Sequence, residues 1–331
     1  MNVTELRVGL IGLGMMGRHH ARVVREVEGL ELVAVADAGG DPHGVAGDLP
    51  VVGDVHELID VGIDAAVCAV PTGFHEEVGI ALAEAGVPTL IEKPIAHSVE
   101  AGARLVDAFA ANGVLGAVGH IERYNPALQS LRDRMAAGEL GEMYQIATRR
   151  QGPFPARIAD VGVVKDLATH DIDLTAWLAK SEYSTVSAQV TTRSGRPHED
   201  MVAATGRLAN GIITNHLVNW LSPMKERVTV VTGERGAFVA DTVSADLTFY
   251  ANGVVSTEWD SVAAFRGVAE GDVTRFAIPK REPLRVEHEK FRDAVLGVGN
   301  DVVTLQEGQN TLRTAEELLA SAGRLTAAGT V

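Results

Sequence analysis

The chain has 331 residues, a length typical of two domains, and 46% of them are hydrophobic, which is enough to build sizeable cores. Its formal net charge of −15 repels nucleic-acid phosphates and anionic lipid surfaces, which argues against both kinds of partner. The start shows no secretory signal, and the longest apolar runs, near Val61–Val70, are too short to span a membrane. A single cysteine, Cys68, excludes an intrachain disulfide and favours a reducing compartment, so we predict a cytoplasmic protein.

The first 121 residues alternate short apolar runs with helix-like stretches. The apolar runs predict buried strands at Leu6–Leu13, Leu30–Ala36, Ala65–Val70, Thr89–Ile91 and Val114–Val118. Helices are predicted between them at Met16–Val27, Phe74–Ala85 and Ser98–Ala111. Apolar strands separated by helices indicate a parallel sheet covered on both faces, and right-handed crossovers make it doubly wound. We assign residues 1–121 to this α/β domain.

The pattern changes near Arg123, and residues 122–331 are predicted to form a second, α+β domain. Turn signals recur about every 15–20 residues between Thr185 and Thr257, which predicts a largely antiparallel open sheet. These signals are the segments 193–197, 209–211, 232–236 and 251–253. Helices are predicted at Asn125–Ala137, Lys165–Ala179, Leu284–Val298 and Leu305–Ala322, and an irregular segment at Ser261–Lys280.

A glycine-rich loop joins the first predicted strand to the first helix. Its sequence, Gly12-Leu-Gly14-Met15-Met16-Gly17, fits the pattern Gly-x-Gly-x-x-Gly. Gly12 permits a tight turn, Gly14 lets the backbone approach a pyrophosphate, and Gly17 lets the helix pack closely on the strand. The helix N-terminus then offers free amides to phosphate groups. The pattern predicts a dinucleotide site; a tight turn without a ligand is the alternative.

The residues after the second strand bear on the choice of dinucleotide. Asp37 follows that strand twenty residues after Gly17, where an acidic side chain accepts hydrogen bonds from the adenosine ribose hydroxyls. The next residues, 38–41, contain no Arg or Lys to bind a 2′-phosphate, and the carboxylate would repel one. We therefore predict NAD rather than NADP.

The ends of the next two predicted strands carry further candidate cofactor residues. Pro71, Thr72 and His75 follow the third strand, and Thr72 is expected to cap the next helix and touch the cofactor; a plain helix start is the alternative. Glu92 and Lys93 follow the fourth strand.

Lys93 is also a candidate for chemistry. A lysine at a strand end beside a nicotinamide can donate a proton to a hydroxyl or carbonyl oxygen. Pro94, which follows it, could form a cis peptide bond that aims the chain. The alternative is a lysine on a surface turn.

A cluster of acidic residues and one histidine lies on the predicted helix Lys165–Ala179. Asp166 and His170 are four residues apart and share a helix face. The carboxylate can orient the imidazole, which then takes a proton from a substrate hydroxyl. Asp173 is also nearby. Without a second histidine we predict no metal, and a plain helical turn remains an alternative.

In combination these motifs resemble the Gfo/Idh/MocA oxidoreductase family, named after glucose–fructose oxidoreductase and inositol dehydrogenase. The resemblance rests on the glycine loop, Glu92-Lys93-Pro94 and the Asp166-x-x-x-His170 helix, in that order. It implies a Rossmann domain followed by an α/β domain whose open sheet often forms the oligomer interface. It also implies Lys93, Asp166 and His170 as the catalytic group. The family often has two glycines shortly before the Asp, whereas this chain has Val161-Gly162-Val163-Val164.

Two further segments, 119–126 and 219–227, resemble the branch of this family that oxidises the 3-hydroxyl of UDP-N-acetylglucosamine and related UDP-sugars. Their polar residues are candidates for binding sugar hydroxyls or a diphosphate. Trp220 would stack on a ring or fill the core, and each cation could equally be a solvated surface charge. The candidate substrate residues are Arg123, Tyr124, Asn125, Arg149, Arg150, Arg157, Asp173, Trp220, Lys225 and Arg227.

The sequence thus predicts an NAD-dependent dehydrogenase acting on a sugar hydroxyl, of a UDP-N-acetylhexosamine in first place. An inositol, free-sugar or polyol dehydrogenase of the same family is the first alternative. A non-catalytic, NAD-binding regulatory protein is the second. An open sheet with one exposed face usually needs a cover, so we expect a homodimer or homotetramer that forms through the C-terminal sheet.

Overall fold

The computed structural model describes residues 5–155, 161–253 and 271–328, and these form two compact units. The first contains the described residues of Met1–Ile121 and of Glu282–Arg313; the second contains those of Glu122–Arg281 and Thr314–Val331. The predicted second domain, 122–331, differs from this division. Residues 282–313 belong to the first unit because Leu284 and Leu305 are buried in its hydrophobic clusters.

A six-stranded parallel sheet forms the centre of the first unit, as predicted. From edge to edge its order is β3-β2-β1-β4-β5-β6, so the order reverses beside β1. Crevices for ligands form at such a reversal, at the carboxyl ends of the strands. The strands are β1 (Leu6–Ile11), β2 (Leu30–Ala36), β3 (Val51–Val52), β4 (Ala65–Cys68), β5 (Thr89–Glu92) and β6 (Gly116–Gly119).

The helices of the first unit also follow the predicted order. A short helix that the sequence did not predict, α2, begins after Asp54, whose carboxylate accepts hydrogen bonds from the amides of His56 and Glu57. The helices are α1 (Met15–Glu26), α2 (Val55–Asp60), α3 (His75–Glu84), α4 (Val99–Asn112) and, later in the chain, α7 (Pro283–Val295). The last helix, α8 (Leu305–Ala328), contributes residues to both units.

The second unit contains an eight-stranded sheet that is antiparallel except between β7 and β10. Its order is β14-β13-β12-β11-β7-β10-β9-β8. The largely antiparallel open sheet that the sequence predicts is confirmed. Its strands are β7 (Met143–Pro153), β8 (Tyr183–Thr191), β9 (Met201–Leu208), β10 (Ile213–Asn219), β11 (Leu221–Gly233), β12 (Gly236–Asp241), β13 (Asp246–Ala251) and β14 (Val273–Arg275).

Two parts of this unit were not predicted correctly. Strand β7 lies inside the sheet but is rich in polar residues, which hides the apolar pattern of a buried strand. Within the segment Ser261–Lys280, which was predicted to be irregular, residues 273–275 form β14; residues 261–270 lie outside the described ranges.

Two helices, α5 (Pro126–Ala136) and α6 (Thr169–Ala179), pack on one face of this sheet. The opposite face exposes side chains in whole or in part, among them the small residues Ala147 and Ala203, the polar Thr205 and the apolar Leu217. In the described ranges, no helix is long and apolar enough to cross a membrane.

Candidate active site

The glycine loop has the geometry that a close turn requires. Gly12 has a φ of +94°, and a Cβ there would lie 2.5 Å from the backbone of Ala69. A Cβ on Gly17 would lie 1.9 Å from the carbonyl oxygen of Gly12. At Gly14, by contrast, a Cβ would meet no atom within 4 Å. The first two glycines therefore serve the backbone itself, whereas Gly14 leaves open space beside the loop.

The N-terminus of α1 faces that open space with its amide groups uncapped. The helix begins at Met15, and its N-cap residue, Gly14, has no side chain that could accept from the first-turn amides. No acidic residue lies in the first turn, and Met15 is 46% exposed. Uncapped amides and the positive end of the helix dipole favour an anion, so these residues fit the pyrophosphate of a dinucleotide.

Asp37 ties the end of β2 to the glycine loop. Its Oδ2 accepts from the amide of Leu13 at 2.8 Å, and its Oδ1 accepts from the amide of Gly39 at 2.8 Å. Each carboxylate oxygen can accept a further hydrogen bond, which leaves both able to bind ribose hydroxyls. Asp37 thus positions the loop in addition to the binding role that the sequence predicts.

The segment after β4 differs from its prediction. Pro71 and Thr72 lead into a 3₁₀ turn, Thr72–Phe74, and α3 has no side-chain cap at its N-cap residue Phe74. The predicted capping role of Thr72 is therefore wrong: the intervening turn moves the helix start beyond its reach.

His75 supports two loops from within the first unit. The ring is buried, with Nδ1 3.0 Å from the carbonyl oxygen of Pro94 and Nε2 3.0 Å from that of Val70. Burial lowers the pKa of His75, although these carbonyl contacts oppose that shift. Both ring nitrogens face backbone oxygens, so the ring holds the loops that carry Thr72 and Lys93. This corrects the prediction that His75 contacts the cofactor.

Glu92 and Lys93 lie where β5 ends. The Lys93–Pro94 peptide bond is cis, as the sequence analysis anticipated. Glu92 Oε2 accepts from the Lys93 amide at 3.1 Å, and Oε1 lies 2.9 Å from Nε2 of His20. Burial acts to raise the pKa of Glu92, but the hydrogen bond and charge of His20 and the charge of Lys93 outweigh it, and the pKa lies below its ordinary value. Glu92 is thus a buried carboxylate adjacent to Lys93.

The predicted helix Lys165–Ala179 begins with a wide turn. Residues Val164–Ala168 form a π-helical turn that carries Asp166, and α6 follows with His170 in its first turn. Both side chains are buried, at 5% and 9% exposure. Single π turns are rare and often occur at functional sites. Asp166 and His170 belong to the second unit, whereas Lys93 belongs to the first.

Glu199 fixes the start of this helical segment. Its Oε1 accepts from the amide of Val164 at 3.0 Å, and its carbonyl oxygen accepts from the amide of Val163 at 3.0 Å. A Cβ on Gly162 would lie 2.0 Å from Glu199 Oε1. A side chain at the single glycine of the Val-Gly-Val-Val segment would therefore displace the Glu199 carboxylate from its hydrogen bond with the Val164 amide.

Four predicted substrate residues are instead buried in the second unit. Arg123 and Asp173 form a buried two-point ion pair, with Nε–Oδ2 and Nη2–Oδ1 distances of 2.8 and 2.6 Å. Asn125 caps α5 by accepting from the amide of Ala127 and donates to the carbonyl oxygen of Thr242. Tyr124 is also buried. These side chains are engaged in the fold, which corrects their prediction as groups open to a substrate.

A second buried ion network joins α6 to the sheet. Arg150 of β7 donates to Asp171 and, at 2.9 Å, to Glu122, which also accepts from Arg227 at 3.1 Å. Burial raises the pKa of Asp171 to about 6, and Arg150 opposes that rise. Burial and the charge of Arg150 lower the pKa of Arg227. The network surrounds the residue next to His170 and so restrains that end of α6.

The other candidates differ in exposure. Arg149 is exposed and pairs with Glu226 at 3.1 Å, and Lys225 is exposed on β11. Trp220 is 4% exposed in the core and stacks edge-on against Phe154, which favours the core alternative. Arg157 lies outside the described residues. No three His, Cys, Asp or Glu side chains come together as metal ligands in the described ranges.

Several supporting residues escaped prediction from sequence. His20, Glu122, Asp171 and Glu199 contact candidate site residues or the segments that carry them. His20 could have been suspected because it lies three positions after Gly17, on the helix face that packs on the sheet. Glu199 carries no such signal, because its contact spans 35 residues of sequence.

Family models match residues in both units. Residues 6–120 match the model of the oxidoreductase family with an NAD-binding Rossmann fold, and residues 128–239 match the GFO/IDH/MocA C-terminal domain. The chain is 31% identical to the UDP-N-acetylglucosamine 3-dehydrogenase of Acidithiobacillus ferrooxidans over 88% of this chain and 89% of that one. The chain belongs to the Gfo/Idh/MocA oxidoreductase family. Its first unit is an NAD-binding Rossmann domain.

The chain's relatives are named for two classes of substrate, a UDP-sugar and inositols. The solved structure of the Acidithiobacillus ferrooxidans enzyme has a TM-score of 0.85 and 26% identity, covering 97% of this chain and 98% of that one. Inositol 2-dehydrogenase 2 of Saccharopolyspora erythraea is 33% identical over 203 residues, which are 59% of this chain. That match spans only 60% of the relative's length.

Gly14 and Gly17 differ in their surroundings, so replacing each of them with alanine should have a different effect. Gly17→Ala gains up to about 1 kcal/mol of helix propensity, but its Cβ meets backbone oxygen, so we expect a net loss of about 1–3 kcal/mol in the free energy of unfolding. Gly14→Ala should leave stability unchanged and weaken NADH binding at least about tenfold, because its Cβ enters the open space. Urea unfolding and NADH fluorescence titration measure the two effects. Equal stability loss in both variants would contradict this division of roles.

The buried Arg123–Asp173 pair predicts a stability effect rather than a substrate effect. Asp173→Ala leaves a buried guanidinium without its carboxylate, which should lower the free energy of unfolding by about 3–5 kcal/mol. Lys225→Ala, on the exposed surface, is the control and should change it by less than about 0.5 kcal/mol. Unchanged unfolding of Asp173→Ala together with a raised substrate KM would restore the role in substrate binding.

Proposed function

We propose that this protein is an NAD-dependent dehydrogenase that oxidises a secondary hydroxyl of a sugar, with the 3-hydroxyl of a UDP-N-acetylhexosamine as the favoured target. The observation that carries the proposal is the pairing of an uncapped glycine-loop site for a dinucleotide with a lysine and a histidine, each adjacent to buried carboxylates. A protein that only bound NAD would have no need of Lys93, Asp166 and His170.

The first unit supplies the cofactor site. Gly12, Gly14, Gly17 and the first-turn amides of Met15 and Met16 would hold the pyrophosphate, and Asp37 the adenosine ribose. Pro71, Thr72, Glu92 and Lys93 follow strand ends on the carboxyl side of the same sheet, the side on which such ligands bind. When bound, NAD supplies the hydride acceptor for oxidation of the alcohol to a ketone.

The protein's own residues handle the proton. Lys93 Nζ and His170 are the two groups able to hold the substrate oxygen and take its hydroxyl proton. Asp166 stabilises the charge that His170 acquires, and Lys93 stabilises negative charge that develops on the oxygen. Substitution of each residue in turn identifies the principal base.

The choice of substrate rests on how much of this chain each named relative matches. The relative named for UDP-N-acetylglucosamine matches 88% of the chain, whereas the inositol dehydrogenase matches 59%. Among the predicted cations, Arg123 and Arg150 are engaged in buried ion pairs. Lys225 and Arg227 remain partly or fully exposed on β11 and would meet a diphosphate, whereas Arg149 lies on the open face of the sheet with Ala147 and Leu217.

A substrate panel separates the candidate activities. We expect NADH formation, followed at 340 nm, with UDP-N-acetylglucosamine or a related UDP-sugar, and little with free N-acetylglucosamine. Turnover with inositols or free polyols alone would favour the polyol dehydrogenase, which the inositol dehydrogenase match supports. Clear NAD binding without turnover of any sugar would favour the non-catalytic regulator.

Single substitutions test the proton-handling residues. Lys93→Ala and His170→Ala should each lower kcat at least about 100-fold, the scale of general acid–base catalysis, while NADH binding persists. Lys165→Ala, beside Asp166 on the same turn, is the control and should retain turnover within a few-fold. Near wild-type turnover in either of the first two variants would refute their roles.

We further propose that the chain self-associates through the open face of its second-unit sheet. The small and polar side chains of β7, β8, β9 and β10 on that face leave it flat and accessible. Light scattering should give a multiple of 35.0 kDa, and Ala203→Arg on this face should reduce the mass to one chain. Ala111→Arg on α4 should have no effect. A wild-type mass of one chain would refute the proposal.

A further inference from the structure

A buried row of ionisable side chains lies behind Lys93 in the first unit. His20 of α1 stands at its centre, with Nε2 2.9 Å from Glu92 Oε1 and Nδ1 2.8 Å from Nε2 of His288 on α7. Both imidazole rings are fully buried, and Glu92 is 9% exposed. Three segments far apart in sequence therefore meet through side chains directly behind a proposed catalytic lysine.

The ionised state of Glu92 fixes the direction of the hydrogen bonds that reach it. A carboxylate only accepts, so His20 donates its Nε2–H to Oε1, while the Lys93 amide donates to Oε2 at 3.1 Å. The other ring nitrogen of His20, Nδ1, shares a hydrogen bond with Nε2 of His288, which restrains the orientation of the His20 ring. Hydrogen bonds therefore connect α7 through α1 to the end of β5.

Glu287, next to His288 on α7, shows what happens to a carboxyl without such donors. It is 1% exposed, and neither of its oxygens has a hydrogen-bond partner in the part of the chain that the structure describes. Burial and the charge of Glu92 raise the pKa of Glu287 well above its ordinary value. The donors from His20 and Lys93 instead hold the pKa of Glu92 low. The histidine pair thus places the negative charge on Glu92.

Four other titratable groups near Glu92 have pKa values shifted toward their neutral forms. Burial raises the pKa of the Cys68 thiol, on β4, to about 12. Burial lowers the pKa of His75, on α3, and that of His288. The pKa of Glu287 is raised, which also favours its neutral form, and the charges that act on the Glu92 carboxylate are those of His20 and Lys93. A change in the charge of Glu92 is therefore felt at Lys93.

We propose that His20 and His288 are positioning residues that keep the Glu92 carboxylate ionised and oriented beside Lys93, and so set how firmly the Lys93 amine holds its proton. The inference rests on the proposed function, in which Lys93 exchanges a proton with the substrate oxygen. A carboxylate neighbour makes Lys93 a stronger base, which favours removal of the hydroxyl proton, but it also requires a higher pH for the amine to be neutral.

The proton affinity of Lys93 can be measured without turnover. Only the neutral amine reacts with acetic anhydride, so labelling of Lys93 at a series of pH values, read by peptide mass spectrometry, gives its titration midpoint. We expect Glu92→Gln to lower the midpoint by about one pH unit, because it removes the neighbouring negative charge. His20→Leu should lower it as well, because Glu92 loses the His20 donor, keeps only the Lys93 amide and binds a proton more readily; His288→Leu should lower it less.

Two matched variants serve as controls. Glu287→Gln makes the same change in a carboxyl that is equally buried but already neutral, and it should leave the midpoint unchanged. His19→Leu alters the exposed neighbour of His20 on α1 and should also have no effect. NADH binding should persist in both controls and in His288→Leu.

The labelling experiment tests the inference and the turnover assay tests the proposed function, so failure of one can be told from failure of the other. A midpoint that moves as expected in a protein that oxidises no sugar would refute the proposed function and leave this inference standing. Turnover with an unchanged midpoint in Glu92→Gln, or with an unchanged midpoint in both histidine variants, would overturn the inference. If His20→Leu does not fold, Glu92→Gln and His288→Leu decide, and an unchanged midpoint in either overturns it.

Discussion

The approach of α1 to the loop after β1 is the constraint on which the first unit depends. A side chain on Gly17 would collide with the Gly12 carbonyl, so the helix can lie this close only with glycine at that position. The closeness lets the helix N-terminus face the reversal point of the sheet with uncapped amides. Asp37 then secures the loop from the next strand. The backbone packing set by Gly12, Gly17 and Asp37 is therefore what also leaves the open space beside Gly14 for a cofactor.

Charged side chains in the interior meet a similar demand in both units. A buried charge is costly unless a partner satisfies it, and Glu92, Asp171 and Asp173 each have a guanidinium or hydrogen-bond donors. In the second unit, Arg123 and Arg150 hold Asp173 and Asp171, which lie on the same helix as His170. In the first, His20 holds Glu92, and His288 holds His20. The residues proposed for chemistry are each adjacent to such a fixed charge.

Much of the architecture was predictable because its signals are local. The parallel sheet, the glycine loop and the antiparallel hairpins follow from apolar runs and turn residues close together in sequence. Strand β7 was missed because its buried face carries Thr148 and Arg150, which are satisfied only by distant partners. The same reason explains the site residues: Arg123 and Asn125 look like ligand-binding groups in sequence, and their structural partners lie about 50 and 117 residues away. Sequence identifies the polar residues, but not what satisfies them.

The division of the chain into units has a consequence for synthesis on the ribosome. The segment Glu282–Arg313 adds Leu284, Phe291, Val303, Leu305 and Leu312 to cores whose other buried members lie before residue 121. When the first 121 residues emerge, the surfaces that these side chains will cover are still bare. The NAD-binding unit therefore cannot complete its interior until nearly the whole chain has been made, and this segment must return to it after residues 122–281 have been translated.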